Sequence, residues 1–336
     1  MWIYLNDRFV REEKAFVSVF DHGFLYGDGA FETLRAYDGV FFSLREHLER
    51  LKDSARAIGL LLPALPFEDL LRNAMQKNSL HEAILRITLS RGPGPLSPSP
   101  RGCRSPTVVI FARPFHPPPR RWYARGLSAV LARTRRNPAE ALDPRIKSAN
   151  FLNLIMARRE AERLGAQEAI LLNTSGELAE GSTSNLFFVK GKNVYTPSRK
   201  AGILEGITRN VVLTLARENG IRLVEGCFRP AALRSADEAF LTNTSWEIAP
   251  LTRLDRAAIG TGRPGEVTRR LIRLFQVKVR EEVRASSTAR LNSVMLKGRS
   301  RGTRPERRMT SSESEWSGIS PGAEKRRRSD RTGDSP

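Results

Sequence analysis

The chain has 336 residues, a formal net charge of +20 and 40% apolar side chains, enough for a buried core and more than one core usually organises. No apolar run approaches the roughly 18 residues of a membrane span, since the longest candidate, 58 to 65, is interrupted by Pro63, so a membrane partner is not expected. Two cysteines, Cys103 and Cys227, argue against a disulfide framework, and the opening Met1-Trp2-Ile3-Tyr4-Leu5-Asn6 has none of the pattern of an export signal, so the cytoplasm is the expected compartment.

In chain order, residues 1 to 5 predict a strand, Asn6-Asp7 a turn, and a second strand follows, with Phe16-Val17-Ser18-Val19-Phe20 in alternating register. After a glycine-rich turn at 23 to 29 comes an extended segment, 30 to 37. Asp38-Gly39 then signals a hairpin and a returning strand over 40 to 42. Leu44, Leu48, Leu51, Ala55 and Ile58 recur at helical spacing, with Gly59 as the stop, and 67 to 78 predicts another helix. Strands are expected over 83 to 89 and 107 to 112, around a loop rich in Gly and Pro.

Pro117-Pro118-Pro119 marks the best domain boundary, because consecutive prolines favour an extended connection and supply no ladder donors. The expected division is an N-terminal domain of residues 1–116, a linker of 117–126 and a C-terminal domain of 127–278. The second domain opens with a strand over 128 to 134, reaches Lys147 through an irregular loop and continues as a helix to Leu164, stopped by Gly165. Strands are expected over 169 to 172, 186 to 189, 194 to 196 and 238 to 241, and Gly206 precedes a helix over 207 to 219.

From Val279 onward there are 14 Lys and Arg against 8 Asp and Glu, leaving +6 of the net charge there, with Lys325-Arg326-Arg327-Arg328 the strongest cluster. This Ser-, Gly- and Arg-rich segment has few apolar residues, so 279–336 is expected to be a disordered basic tail. The charge is spread along the chain without one dominant basic block, and a nucleic-acid partner is not expected.

The chemistry centres on Lys147. An amine that attacks an aldehyde must be a lysine, because arginine stays protonated, and Lys147 sits between an extended segment and a helix. A carboxylate against a pyridine nitrogen keeps that ring protonated as an electron sink, and Glu180 lies in a loop of small residues, Ala179, Gly181 and Ser182, that admits a flat ring. Gly206-Ile207-Thr208 at a helix start offers free backbone N–H groups to a phosphate, Thr242-Asn243-Thr244-Ser245 offers hydroxyls at a strand end, and Arg50 can add a charged fork. Together these point to pyridoxal 5'-phosphate. Gly27-Asp28-Gly29 lacks the third glycine of a dinucleotide loop, and His22, His47, His81 and His116 are too scattered for a metal site, so no metal is expected; His22 and His47 read as structural hydrogen-bonders.

The chain resembles the class IV pyridoxal-phosphate aminotransferases, the fold-type IV group that holds branched-chain aminotransferases, D-amino-acid aminotransferases and aminodeoxychorismate lyases. The resemblance runs from about residue 2 to 276. It rests on Asp21-His22-Gly23-Phe24-Leu25-Tyr26-Gly27-Asp28-Gly29 with Phe31-Glu32, on His47 to Leu51, on Lys147-Ser148 with Asn150, on Glu180-Gly181-Ser182, and on Gly202-Ile203-Leu204-Glu205-Gly206-Ile207-Thr208-Arg209. It implies an α/β (α+β) fold of two domains, a smaller N-terminal sheet-and-helix domain and a larger C-terminal mixed β domain with helices. It further implies a homodimer with pocket residues borrowed across the interface.

By the same resemblance Lys147 carries the cofactor as a Schiff base and moves the proton, and Glu180 pairs with the pyridine nitrogen. Arg50, Ile207, Thr208 and Thr244 match the phosphate positions, Leu204 packs on the ring face, and Tyr26, Phe31 and Arg35 line the pocket for the small amino substrate. Many relatives have tyrosine where Phe151 stands, which leaves Asn150 or a water to bond the cofactor's phenolic oxygen.

Within the family, the arginine and histidine two apart that D-amino-acid aminotransferases use are replaced by Leu96 and Pro98. Phe31-Glu32-Thr33 and Asn243-Thr244-Ser245-Trp246-Glu247 look more like the aminodeoxychorismate lyases than like branched-chain enzymes, which typically read Phe-Glu-Gly and Gly-Thr-Ala-Ala-Glu there. The expected reaction is therefore the lyase, 4-amino-4-deoxychorismate to 4-aminobenzoate and pyruvate. The alternative is branched-chain transamination, for which Phe31, Tyr26 and Trp246 could build an apolar pocket. A reading of another class is a basic nucleic-acid-binding protein whose enzyme-like core has lost activity.

Overall fold

A computed structural model describes the backbone of residues 1–299 and the side chains of residues 1–286. The first part runs β1 (Trp2–Leu5), β2 (Arg8–Arg11), α1 (His22–Tyr26), β3 (Gly29–Tyr37), β4 (Val40–Phe41), α2 (Leu44–Ala57), α3 (Phe67–Lys77), β5 (Ala83–Ser90) and β6 (Thr107–Pro114). A short helix, α4 (Arg120–Arg125), leads to β7 (Leu127–Leu131), α5 (Leu152–Arg163), β8 (Glu168–Leu172), β9 (Leu178–Gly181), β10 (Asn185–Lys190) and β11 (Asn193–Pro197). The chain then forms α6 (Ile207–Glu218), β12 (Leu223–Gly226), α7 (Pro230–Arg234), β13 (Glu238–Asn243), β14 (Glu247–Leu254), β15 (Ala257–Ala258) and α8 (Glu266–Arg299).

The first sheet has six strands in the order β2-β1-β6-β5-β3-β4, paired antiparallel throughout. Period-two alternation divides its central strands: Leu34, Leu85, Leu89 and Ile110 join a core with Leu51 and Ala55 of α2 and Leu71 and Ala74 of α3. The second sheet has nine strands, in the order β12-β11-β10-β13-β14-β7-β8-β9 with β15 on β14. It is mixed, with parallel pairs at β11–β12, β14–β7 and β7–β8. Alternate residues of β10 again serve two sides: Phe187 stacks on Phe240 of β13 at 4.8 Å in the core with α6 and α8, while Leu186 and Phe188 enter the core of the opposite face.

This is the mixed α/β architecture the sequence implies, an antiparallel sheet with its helices first and a larger mixed sheet second. Both sheets lie in one compact unit, Met1–Arg290. The division into 1–116, 117–126 and 127–278 stands as our proposal for how that unit is built, the first sheet ending at Pro114, the second starting at Leu127, and α4 occupying part of the connection.

Three expectations are corrected. Residues 16–20 form no strand: both sides of β1 are taken by β2 and β6, and Phe16, Val17, Val19 and Phe20 stand exposed. The glycine-rich turn at 23 to 29 contains α1, capped by Asp21, whose carboxylate accepts from Gly23 N at 2.7 Å, and ended by Gly27 at φ +70°. Disorder does not begin at Val279. Leu271, Phe275, Val279 and Val283 recur every fourth residue along α8 and pack into the core with Phe42, and Glu282 accepts from Ser43 N at 2.9 Å. The rest of the expected tail, 300–336, lies outside the described residues.

Because Val279 is buried, Val279→Asp should destabilise the protein by about 3 kcal/mol in urea unfolding, the scale of an uncompensated charge in a core. A disordered segment would not register the change.

Candidate active site

Lys147 is seated by its backbone. The N-terminal half of β3 pairs with β5 on one side only, since β4 reaches no further than Ala36. Residues 147–149 fill the other side: Phe31 N donates to Lys147 O at 3.0 Å and Ala149 N to Gly29 O at 2.8 Å. Lys147 N donates to Ser54 Oγ of α2 at 3.0 Å. The lysine is thus fixed to the first sheet although its own segment joins two elements of the second part. Its Nζ lies 4.7 Å from the centroid of Phe31. Burial, aided by the charge of Arg50 and opposed by Glu32 and Glu180, pulls its pKa down from 10.5 to about 8.

Glu180, near the end of β9, is buried and accepts three hydrogen bonds, from Arg136 Nε at 2.8 Å, Leu204 N at 3.0 Å and Asn185 Nδ2 at 3.3 Å. Burial raises its pKa, and the opposing charge and hydrogen bond of Arg136 offset this only in part. The loop after it is organised from behind by buried Glu168. That carboxylate accepts from Ser182 N and Oγ, Thr183 Oγ1 and Ser184 Oγ. A Cβ at Gly181 would run into Ser184 Oγ and displace it from its bond to Glu168.

Asn185 also donates to Leu204 O at 2.8 Å and so holds the turn that leads into α6. Gly206 caps that helix, and a Cβ on it would collide with Asn185 Oδ1. Ile207 and Thr208 are the first residues of α6, where backbone N–H groups lack helical acceptors. Arg50 of α2 reaches across and donates from Nη1 to Glu205 O at 2.8 Å.

A cavity of about 370 Å³ brings these groups together. Its lining includes Lys147, Glu180, Arg50, Leu204, Ile207, Thr208 and Thr244, all read from the sequence. Phe31 also lines it, with Phe151 edge-on at 5.2 Å and the Arg86 guanidinium over its face at 3.7 Å. Two expected pocket residues lie outside the lining of the single chain. Tyr26 is outside the lining, 37% exposed, its ring edge-on against His22. Arg35 shares the face of Phe31 and Thr33 but lies beyond the cavity, buried between Phe115 and Tyr37 and bonded to Glu82, Ala36 O and Ala83 O. Asn150 lines the cavity, yet its Nδ2 already donates to Gly27 O at 2.9 Å.

Comparison with known proteins decides the family. The family model "Amino-transferase class IV" matches residues 29–254. The chain belongs to the class IV aminotransferases. It is 42% identical over 278 residues to a Methanocaldococcus jannaschii protein named "Putative branched-chain-amino-acid aminotransferase", an alignment covering 82% of this chain and 96% of that one. It is 34% identical over 285 residues to the aminodeoxychorismate lyase of Bacillus subtilis, covering 84% and 96%. The solved branched-chain amino acid aminotransferase from Thermobaculum terrenum in its PLP form superimposes with a TM-score of 0.75 at 30% identity, covering 84% of this chain and 94% of that one.

Members of this family use pyridoxal 5'-phosphate, and the cavity fits it. The donor set matches each part of the molecule: an amine for the aldehyde, a buried carboxylate for the ring nitrogen, and a guanidinium with a helix start for the phosphate. Thr242 Oγ1 supplies a further sign of fit, being a buried hydroxyl in the lining with no partner among the described residues. No cluster of metal-binding side chains occurs, and no helix is long and apolar enough to cross a membrane, among the described residues. Sequence reasoning missed Arg136, Arg86 and the roles of Glu32 and Asn185. Alternation from Phe31 along β3 and its register with β5 could have found Arg86; Arg136, in irregular chain, carries no comparable signal.

Competitive acylation of cofactor-free protein, read by mass spectrometry, should label Lys147 half-maximally near pH 8 rather than near the 10.5 of an unperturbed lysine. Below that pH the amine is protonated and labelling should fall.

Proposed function

We propose that the chain is a transaminase, moving an amino group between an amino acid with an apolar side chain and an acidic 2-oxo acid such as 2-oxoglutarate. The observation that carries this reading is Arg86, a guanidinium laid over Phe31 in a cavity whose lining also includes the apolar Phe151, Leu154 and Trp246. Such a wall accepts an apolar side chain and also offers a charged partner to the second carboxylate of an acidic substrate. The relative from M. jannaschii supports the same choice.

Bound pyridoxal phosphate supplies an electron sink for the carbon that bears the amine. Lys147 would hold the cofactor through its amine and, once released by the substrate, would serve as the base and acid that moves the proton at that carbon. Glu180, fixed by Arg136, Leu204 N and Asn185, would take the ring nitrogen, Arg50, Ile207, Thr208 and Thr244 would hold the phosphate, and Leu204 would pack on the ring. A lyase acting on aminodeoxychorismate is the second reading, favoured by Asn243-Thr244-Ser245-Trp246-Glu247, the loop that carries Thr244 and Trp246 into the cavity wall. Both reactions use the same lysine and differ in whether a leaving group departs.

The test is direct: incubation with leucine and 2-oxoglutarate should yield glutamate, and Lys147→Ala should abolish both this activity and the visible absorption of the bound cofactor. Formation of 4-aminobenzoate from aminodeoxychorismate, without glutamate formation in the first assay, would select the lyase. Arg86→Met should raise the KM for 2-oxoglutarate about 10- to 100-fold, the scale of a lost charge-assisted pair, while changing that for leucine far less.

We further propose a homodimer. Phe16 at 77% and Phe24 at 74% exposure stand with Val17, Val19 and Phe20 on one short stretch, and Leu152, Ile155 and Met156 are exposed on α5. Phe20→Glu with Phe24→Glu should convert a dimer into monomers in sedimentation analysis, whereas an unchanged dimer would locate the interface elsewhere.

A further inference from the structure

Glu32 is a fully buried carboxylate that the chemistry above does not use. Alternation along β3 sends Phe31 and Thr33 to the cavity and Glu32 to the opposite side, toward α2. There it meets His47 and Arg50, three apart on one helix face. Arg50 donates to it from Nε at 2.6 Å and from Nη2 at 3.0 Å, and His47 Nδ1 donates to the same carboxylate at 2.7 Å.

A guanidinium has five N–H bonds arranged in a plane. Glu32 occupies the side-on edge formed by Nε and Nη2, and Glu205 O takes one N–H of Nη1. One N–H on each terminal nitrogen remains, and Arg50 lines the cavity with Ile207 and Thr208, so these bonds are available to the oxygens of a phosphate. We propose that Glu32 is a positioning residue for the phosphate end of the site: it clamps Arg50 by its side-on edge so that the remaining N–H bonds of the guanidinium are presented to the ligand, with His47 fixing the carboxylate.

The electrostatics agree with the geometry. Burial by itself would raise the pKa of Glu32, but Arg50 and His47 together hold it well below the usual carboxylate range, so the clamp stays charged. Burial, with the charges of Arg50 and Lys147, lowers the pKa of His47 against the opposing hydrogen bond and charge of Glu32. Glutamine at position 32 could accept only one of the two Arg50 hydrogen bonds, and its amide would oppose the other.

The inference rests on reading Arg50 as a phosphate-binding residue, so the experiment separates the two claims. Cofactor is removed from the holoenzyme and the protein is titrated with pyridoxal phosphate and with pyridoxal, which lacks the phosphate. Glu32→Gln should weaken pyridoxal phosphate about 10-fold, the scale of a lost charge-assisted hydrogen bond, and pyridoxal less than about 2-fold. His47→Ala should narrow the same preference, and His47→Asn, which keeps a donor near Nδ1, should restore it; this pair supplies the answer if Glu32→Gln does not fold. Arg50→Ala is the control. If Arg50→Ala narrows the preference but Glu32→Gln and His47→Ala leave it as in the parent, or weaken both ligands equally, the clamp is overturned. If Arg50→Ala leaves the preference unchanged, the phosphate reading fails and the clamp with it.

Discussion

Everything at the site depends on a backbone pairing, the short antiparallel bridge by which residues 147–149 complete the free side of β3. Two hydrogen bonds between peptide groups fix where the lysine stands, leaving its amine the remaining freedom of a long side chain. The same bridge brings Phe31 beneath that amine and ties the second part of the chain to the first. Glu180, Asn185 and the start of α6 belong to the second part, and Arg50 spans the gap in the other direction through Glu205. The cavity is therefore a product of two crossings, one by main chain and one by a guanidinium.

Charge at this place is arranged in alternation. Lys147, Arg50, Arg86 and Arg136 are cationic groups in one lining, and two buried carboxylates, Glu32 and Glu180, hold Arg50 and Arg136 respectively. Each carboxylate thereby gains the partner its burial demands, and each guanidinium loses the freedom that would blur its direction. Arg86 is held differently, over an aromatic face and through Nε to Thr88 Oγ1 at 3.0 Å. It is the cation of the four whose surroundings are most compatible with a passing anionic substrate.

Much of this was legible in the sequence, for identifiable reasons. Lys147, Glu180 and Gly206-Ile207-Thr208 announce themselves because a strand end, a small-residue loop and a helix start are local features, and their chemistry follows from residue type. Tyr26 and Arg35 lie outside the cavity of the single chain because position depends on distance across the fold: Arg35 shares the face of Phe31 and Thr33 on β3 but lies past the end of the cavity. Residues 16–20 are rich in strand-forming side chains and have no neighbouring strand to use them. In α8 the reverse occurred. The apolar residues at 271, 275, 279 and 283 were a readable helical stripe, obscured by the basic composition around and beyond them.

The two-sidedness of β3 also bears on how such an enzyme can change. Positions 31 and 33, with 86 opposite 33 on β5, face the cavity, whereas position 32 is turned into the helix layer. Substrate preference and cofactor retention are thus written on the same stretch of backbone in alternate letters. A library randomised at the odd positions would explore new substrates while the even position preserved the holoenzyme, and a single-residue slip in the strand would exchange the two roles and forfeit both.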